Sequence, residues 1–195
     1  MPENKQKMIV VPIDGSENAL TSLDYINRIF GSKHHFRLSL VYILPKLPPI
    51  LVEESRKSKK TINLEQDIEK KNSQMAERIL ADAKDRLMHF GFTQKTVEAA
   101  FFNINIGVAR DICSWAEKNK KADAIFISSR GRSRLEAFFT GEIANKVLEY
   151  AKVCPVWLVK GRVKHNNVLL AVENSENAMR AVDHAAFLLS GTDVT

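Results

Sequence analysis

Residues 8–30 read MIVVPIDGSENALTSLDYINRIF, and this stretch decides the fold. Met8 to Ile13 is a short run rich in β-branched residues, and it stops at Asp14, Gly15 and Ser16, a turn and helix-start signal. From Ser16 onward the apolar residues fall at Ala19, Leu20, Leu23, Ile26, Ile29 and Phe30, the stripe of an amphipathic helix. Ser16 carries the side-chain oxygen that an N-cap requires, and Gly31 stands just past the helix end. A strand that turns at once into a helix is the opening half of a βαβ unit.

The same alternation runs on through residue 160. A second strand is expected at Leu38–Leu44, stopped by Pro45. Beyond the proline-broken stretch PKLPPI, a long helix places Leu64, Ile68, Met75, Ile79, Ala83, Leu87 and Phe90 on one face and ends at Gly91. Thr96–Phe102 reads as the third strand, and Gly107 opens a helix carrying Val108, Ile112, Trp115 and Ala116. Ala124–Ser128 is the fourth strand. Ile143, Val147, Leu148 and Ala151 mark the next helix, and Pro155–Val159 the fifth strand. Five short apolar strands separated by helices imply an α/β fold, a mainly parallel sheet covered on both faces. Right-handed crossovers make it doubly wound. Ligands of such sheets bind beyond the carboxyl ends of the strands, where the strand order reverses. The segments after strands one and four, PIDGS and SSRGRSR, are therefore the candidate site.

The chain has 195 residues, about one and a third times a typical domain length, so one full domain with a remainder is expected. Charged residues are 27% and hydrophobic residues 45%, with eight glycines and six prolines. That composition excludes a disordered, collagen-like or low-complexity chain. The apolar runs are too short to span a membrane. The first seven residues, MPENKQK, hold no apolar signal segment, and a cytoplasmic location is expected. The two cysteines, Cys113 and Cys154, lie in apolar periodic stretches and read as buried, reduced thiols. Lysine and arginine total 29 against 23 acids, a net charge of +6. The densest basic stretch, Arg56–Lys60, is bordered by Glu53, Glu54 and a mixed-sign run, the pattern of a solvated helix face. No nucleic-acid module accompanies it, so neither a nucleic acid nor a membrane is an expected partner.

The tail repeats the beginning. Asn167–Leu189, NVLLAVENSENAMRAVDHAAFLL, matches Met8–Phe30 at an offset of 159 residues. Ser175, Glu176, Asn177 and Ala178 are identical to Ser16, Glu17, Asn18 and Ala19, and Asp183 to Asp24. A match in register with the same strand-to-helix pattern is a repeat signal. Residues 1–163 are thus read as one domain, and 164–195 as the first strand and helix of a second, incomplete copy. One strand and one helix cannot bury their own apolar faces. Either a longer tandem protein continues this copy, or the remnant packs on the first domain or on another chain.

On these residues the chain resembles the universal stress protein family, a branch of the adenine-nucleotide-binding doubly wound folds. Three stretches carry the likeness: VVPIDGSENAL, the run from Ala122 to Lys160, and the helix start at Gly107 and Ile112. The resemblance implies a Rossmann-like sheet of strand order 3-2-1-4-5. It also implies a stress-response regulatory module that binds ATP or another adenine nucleotide, with slow hydrolysis or none. The family's phosphate signature, G-x2-G-x9-G-[ST], falls here on Ser128, Gly131, Gly141 and Glu142. Its glycines let the backbone approach a phosphate, and the helix start that follows offers free N–H groups. Pro12, Ile13 and Asp14 would border adenine and ribose, and Val41 would meet the base through its backbone. Ser128, Ser129, Gly131, Gly141, Glu142 and Ile143 would form the rest of the site.

Two positions depart from that signature. Ser128 adds a side chain where a glycine stands in the family, and Glu142 places a carboxylate where a hydroxyl residue would meet phosphate. Glu142 either satisfies its helix terminus, a term of roughly 0.3–1 kcal/mol, or acts as a built-in anion that weakens triphosphate binding. Arg130, Arg132 and Arg134 bring positive charge to the same loop, as solvated surface groups or as holders of an anion. Asp14 has a competing structural reading, because Asp in such a turn commonly organises its own backbone.

Other chemistries find less. Neither a Walker loop nor G-x-G-x-x-G occurs, and no nucleophile–base arrangement follows from spacing. His34 and His35 read as a polar turn rather than a metal pair. The expectation is a protein that is not an enzyme. The alternative to nucleotide binding is a structural module that acts through dimerisation. The apolar edge around Pro155–Val159 is the expected contact, in a homodimer or in a pseudo-dimer with a complete second domain.

Overall fold

In a computed structural model, residues 6–31, 36–47, 49–50, 59–129, 142–161 and 165–194 are described. Strand β1 (Lys7–Pro12) leads into helix α1 (Glu17–Phe30), then β2 (Phe36–Leu44), the long α2 (Lys59–His89) and β3 (Val97–Asn103). Helix α3 (Val108–Ser114) continues into a wider π-helical turn, Trp115–Lys120, ahead of β4 (Ala124–Ser128). Helix α4 (Glu142–Tyr150), β5 (Val156–Val159) and α5 (Glu176–Leu189) complete the order. The five strands form one sheet in the order β3-β2-β1-β4-β5, and every neighbouring pair is parallel.

The reason is visible along β1. Ile9 and Val11 point to one face and Val10 to the other, and all three are fully buried. A strand apolar on both sides needs two covering layers, as parallel sheets have. On one face Ala19, Leu23, Ile26 and Phe30 of α1 and Leu80, Ala83 and Leu87 of α2 pack on Leu38, Leu40 and Phe126. On the other, Ala109 and Ile112 of α3 and Ala144 and Val147 of α4 pack on Val10, Val41, Ile125 and Ile127. Cys113 and Cys154 lie buried and unpaired in this second layer, as expected.

Helix α2 keeps the expected face in its carboxy-terminal half, where Ala83 and Leu87 are buried and Ile79 and Phe90 pack against the same core, but not at its start. The buried stripe is Ala76, Leu80, Ala83 and Leu87, whereas Leu64 is 47% and Met75 59% exposed. A helix of 31 residues is about 46 Å long, and the nine residues of β2 span roughly 30 Å. The amino-terminal turns of α2 therefore overhang the sheet, and their apolar residues have nothing to cover.

The tail departs in a second way. Helix α5 forms with the same cap as α1: the Ser16 and Ser175 hydroxyls each accept from the N–H three residues on, both at 3.2 Å. The strand expected ahead of α5 is absent, and residues 165–173 pair with no strand. Leu169 is 94% exposed, Leu170 45% and Val172 58%. A helix satisfies its backbone internally, but a strand needs a neighbour, and none is in place. The helix itself docks on the first domain. Leu188 is fully buried, Lys7 Nζ donates to the Phe187 carbonyl (2.5 Å) and the Ser190 hydroxyl (2.9 Å), and Trp157 Nε1 donates to His184 Nε2 (3.0 Å).

Candidate functional site

The chain runs from β1 outward to β2 and β3 on one side and then crosses back to β4 on the other, so the crevice of this sheet opens at the carboxyl end of β1. The turn there is fixed by three residues. Asp14 Oδ1 accepts from the Ser16 N–H (2.9 Å) and hydroxyl (2.6 Å), and Ser16 in turn caps α1. Gly15 has φ +79°, and a Cβ at this position would meet Ile79 Cδ1 at 2.8 Å. The dihedral favours glycine, and a side chain here would also displace the end of Ile79. The turn reading of Asp14 is therefore realised, with its carboxylate also on the pocket wall.

A cavity of about 330 Å³ occupies the crevice. That is the low end of the roughly 300–1,000 Å³ typical of small-molecule sites. Pro12, Ile13 and Asp14 after β1, Val41 on β2, Ser128 ending β4, and Glu142 and Ile143 starting α4 all line it. Seven of the expected site residues, drawn from four separate stretches of chain, thus meet in one place. The Val41 carbonyl is engaged by the Ile13 N–H at 2.9 Å, which ties the turn to β2.

Three expected residues are not among the described residues of the wall. Ser129 is not on the wall. Its N–H donates to the Val159 carbonyl (2.9 Å), and its buried hydroxyl has no hydrogen-bond partner among the described residues. Gly131 and Gly141 lie outside the described residues. Other wall residues were not singled out as ligand contacts by the sequence: Ser16, Asn18, Tyr42, Ile43, Val108, Ile112 and Ile127. The neighbour rule along β2 points to Ile43 two residues after Val41, and the Gly107–Ile112 helix start points to α3.

The wall is apolar apart from a few groups, and two of those are carboxylates, Asp14 and Glu142. Lys146, one turn along α4, donates to Glu142 Oε1 at 2.5 Å; this bond and its charge hold the Glu142 carboxyl below its ordinary range. No lysine, arginine or histidine is among the described wall residues. Burial pushes the Cys113 and Cys154 thiols up to about 11 and about 12, so both stay protonated and unreactive near neutral pH. Among the described residues no helix is long and apolar enough to cross a membrane, and no three acidic, histidine or cysteine side chains are placed to hold a metal.

A doubly wound parallel sheet with a small cavity at its switch point defines an α/β domain of Rossmann-like type. The chain belongs to the universal stress protein family, whose sequence profile matches residues 6–160. Its fold is shared with a universal stress protein from Archaeoglobus fulgidus DSM 4304, at a TM-score of 0.65 and 21% identity, over 97% of this chain and 64% of that one. A universal stress protein family protein from Arabidopsis thaliana with AMP bound aligns over 80% of this chain and 92% of that one, at 14% identity and a TM-score of 0.51. A universal stress protein in complex with cAMP aligns over 78% and 95%, at 20% identity and a TM-score of 0.50. Among curated proteins none matches the sequence at a significant level.

Proposed function

We propose that this chain is a stress-response regulatory module of the cytoplasm that binds an adenine nucleoside or nucleotide in the cavity between β1 and β4. The observation that carries the reading is the convergence of Pro12, Ile13, Asp14, Val41, Ser128, Glu142 and Ile143 on one cavity at the switch point. The AMP and cAMP complexes of two relatives of the same fold support the ligand class. In this reading Ile13, Val41 and Ile127 enclose the base and Asp14 faces the ribose. Ser129, Gly131 and Gly141 belong to the same site through the loop after β4. In this reading ligand occupancy rather than turnover is the output.

Calorimetric titration of nucleotide-stripped protein with AMP and ATP tests the reading. Saturable binding that Ser128→Trp abolishes, with thermal stability kept, is the expected result. Absence of any saturable heat contradicts it and leaves the dimerisation module standing. That second reading has its own support, because among the described strands β5 pairs only with β4 and stands at the edge of the sheet. We assign Pro155–Val159 to a homodimer contact, or to a pseudo-dimer with a complete second domain whose first elements are residues 164–195. The Archaeoglobus relative, which this chain spans for 64% of its length, supports the tandem form. Sedimentation showing a monomer at high concentration contradicts the homodimer.

A further inference from the structure

The proposed ligand class leaves open how many phosphates the cavity takes, and the charges on its wall bear on that question. Phosphate is ordinarily drawn to a helix N-terminus, whose free N–H groups and positive dipole end face it. Here the helix start at the cavity mouth is α4, and its first residue is Glu142. A carboxylate in the first turn already answers the positive end. The nearest cation on α4, Lys146, is engaged by that same carboxylate at 2.5 Å. Asp14 adds a second carboxylate across the cavity, and no described wall residue is cationic. The remaining surface suits a flat heterocycle and a sugar. Carboxylate oxygens accept from hydroxyl and amino groups, and they repel phosphate oxygens.

We propose that Glu142 sets the phosphate preference of this cavity, so that it takes adenosine, an adenine nucleoside without phosphate, in preference to AMP, and AMP in preference to ATP. The proposal rests on the adenine reading above and adds the discriminating residue. Glu142 is largely solvated, with 79% of its side chain exposed, so its repulsion is partly screened and its effect is a several-fold one. Arg130, Arg132 and Arg134 lie outside the described residues, and the measurement weighs their pull on phosphate against the Glu142 carboxylate.

The test is calorimetric titration of nucleotide-stripped protein with adenosine, AMP and ATP at fixed ionic strength, in the native chain, Glu142→Gln and Lys146→Ala. The native protein should bind adenosine about tenfold more tightly than ATP. Glu142→Gln should narrow that ratio about fivefold, and Lys146→Ala, which leaves the carboxylate unanswered, should widen it about twofold. ATP binding more tightly than adenosine in the native chain overturns the proposal. So does a ratio that Glu142→Gln leaves where it was, which would trace the preference to another group. If none of the three ligands binds, the adenine reading itself fails; if adenosine and ATP bind equally, only the role of Glu142 does.

Discussion

Residues 8–30 and 167–189 carry one pattern and meet two fates. In the first copy Ile9, Val10 and Val11 are fully buried between β2 and β4, and the helix after them covers the sheet. In the second, Val168, Leu169 and Leu170 pair with no described strand, and of the pattern only the helix forms. The cap geometry is the same in both. The helix is therefore decided by its own sequence, through the cap and the apolar stripe, while the strand is decided by what lies beside it. Even the stripe keeps its role. Ala185 and Leu188, the counterparts of Ile26 and Ile29, are the buried residues of α5, but they rest on the first domain rather than on a sheet of their own.

The largest expected effect lies in the helix cores. Leu23→Ala should cost about 3 kcal/mol in urea unfolding, because the site is sealed on all sides, while Val182→Ala, at the matching half-buried position, should cost under about 1 kcal/mol. Equal losses would mean that both copies sit in complete cores. Next comes Leu188→Ala, which should cost about 2 kcal/mol and loosen α5 from Trp157, seen as a change in tryptophan emission. A neutral result would show that α5 does not belong to the core of the first domain.

The caps give a smaller and sharper contrast. Ser16→Ala and Ser175→Ala should each remove about 1 kcal/mol of helix stability. The first loss should appear in global unfolding, and the second only as faster amide exchange along α5. Identical global losses would contradict the difference in packing.

The smallest effect is one of pH. Burial holds His184 below its ordinary value of 6.5, against the pull of Asp123, and its Nε2 accepts from Trp157 only when neutral. The unfolded chain then takes up a proton before the folded one does. The stabilisation is complete above about pH 6.5 and is lost as pH falls from there through the lower folded value. The loss should be about 0.5 kcal/mol, less than a fully buried hydrogen bond. His184→Phe should flatten that part of the stability profile, and an unchanged slope would remove His184 as its cause.

Much of the fold was written in local signals. Strands apolar on both faces announced a covered parallel sheet, and the Asp14–Ser16 turn announced where its crevice opens. Two features were not local. The stripe of α2 holds at Ile79, Ala83, Leu87 and Phe90 but not at Leu64 and Met75, because periodicity alone does not say how far a helix overhangs its sheet. The strand at 168–172 was expected from its apolar run, yet a run of that kind only permits a strand. The site divides the same way. Pro12–Asp14, Ser128 and Glu142 were marked by turn and helix-start chemistry, whereas Tyr42 and Val108 reach the wall from elements whose arrival only the tertiary fold determines.

The central claim is that the cavity at the end of β1 is where this protein reads an adenine compound. Titrating isotope-labelled protein with adenosine and following the backbone amides tests it most directly. Saturable shifts gathered on Ile13, Asp14, Val41, Ile127, Ser128 and Glu142 are the predicted result. Shifts confined to α5 and residues 165–173, or none anywhere at millimolar adenosine, would contradict it.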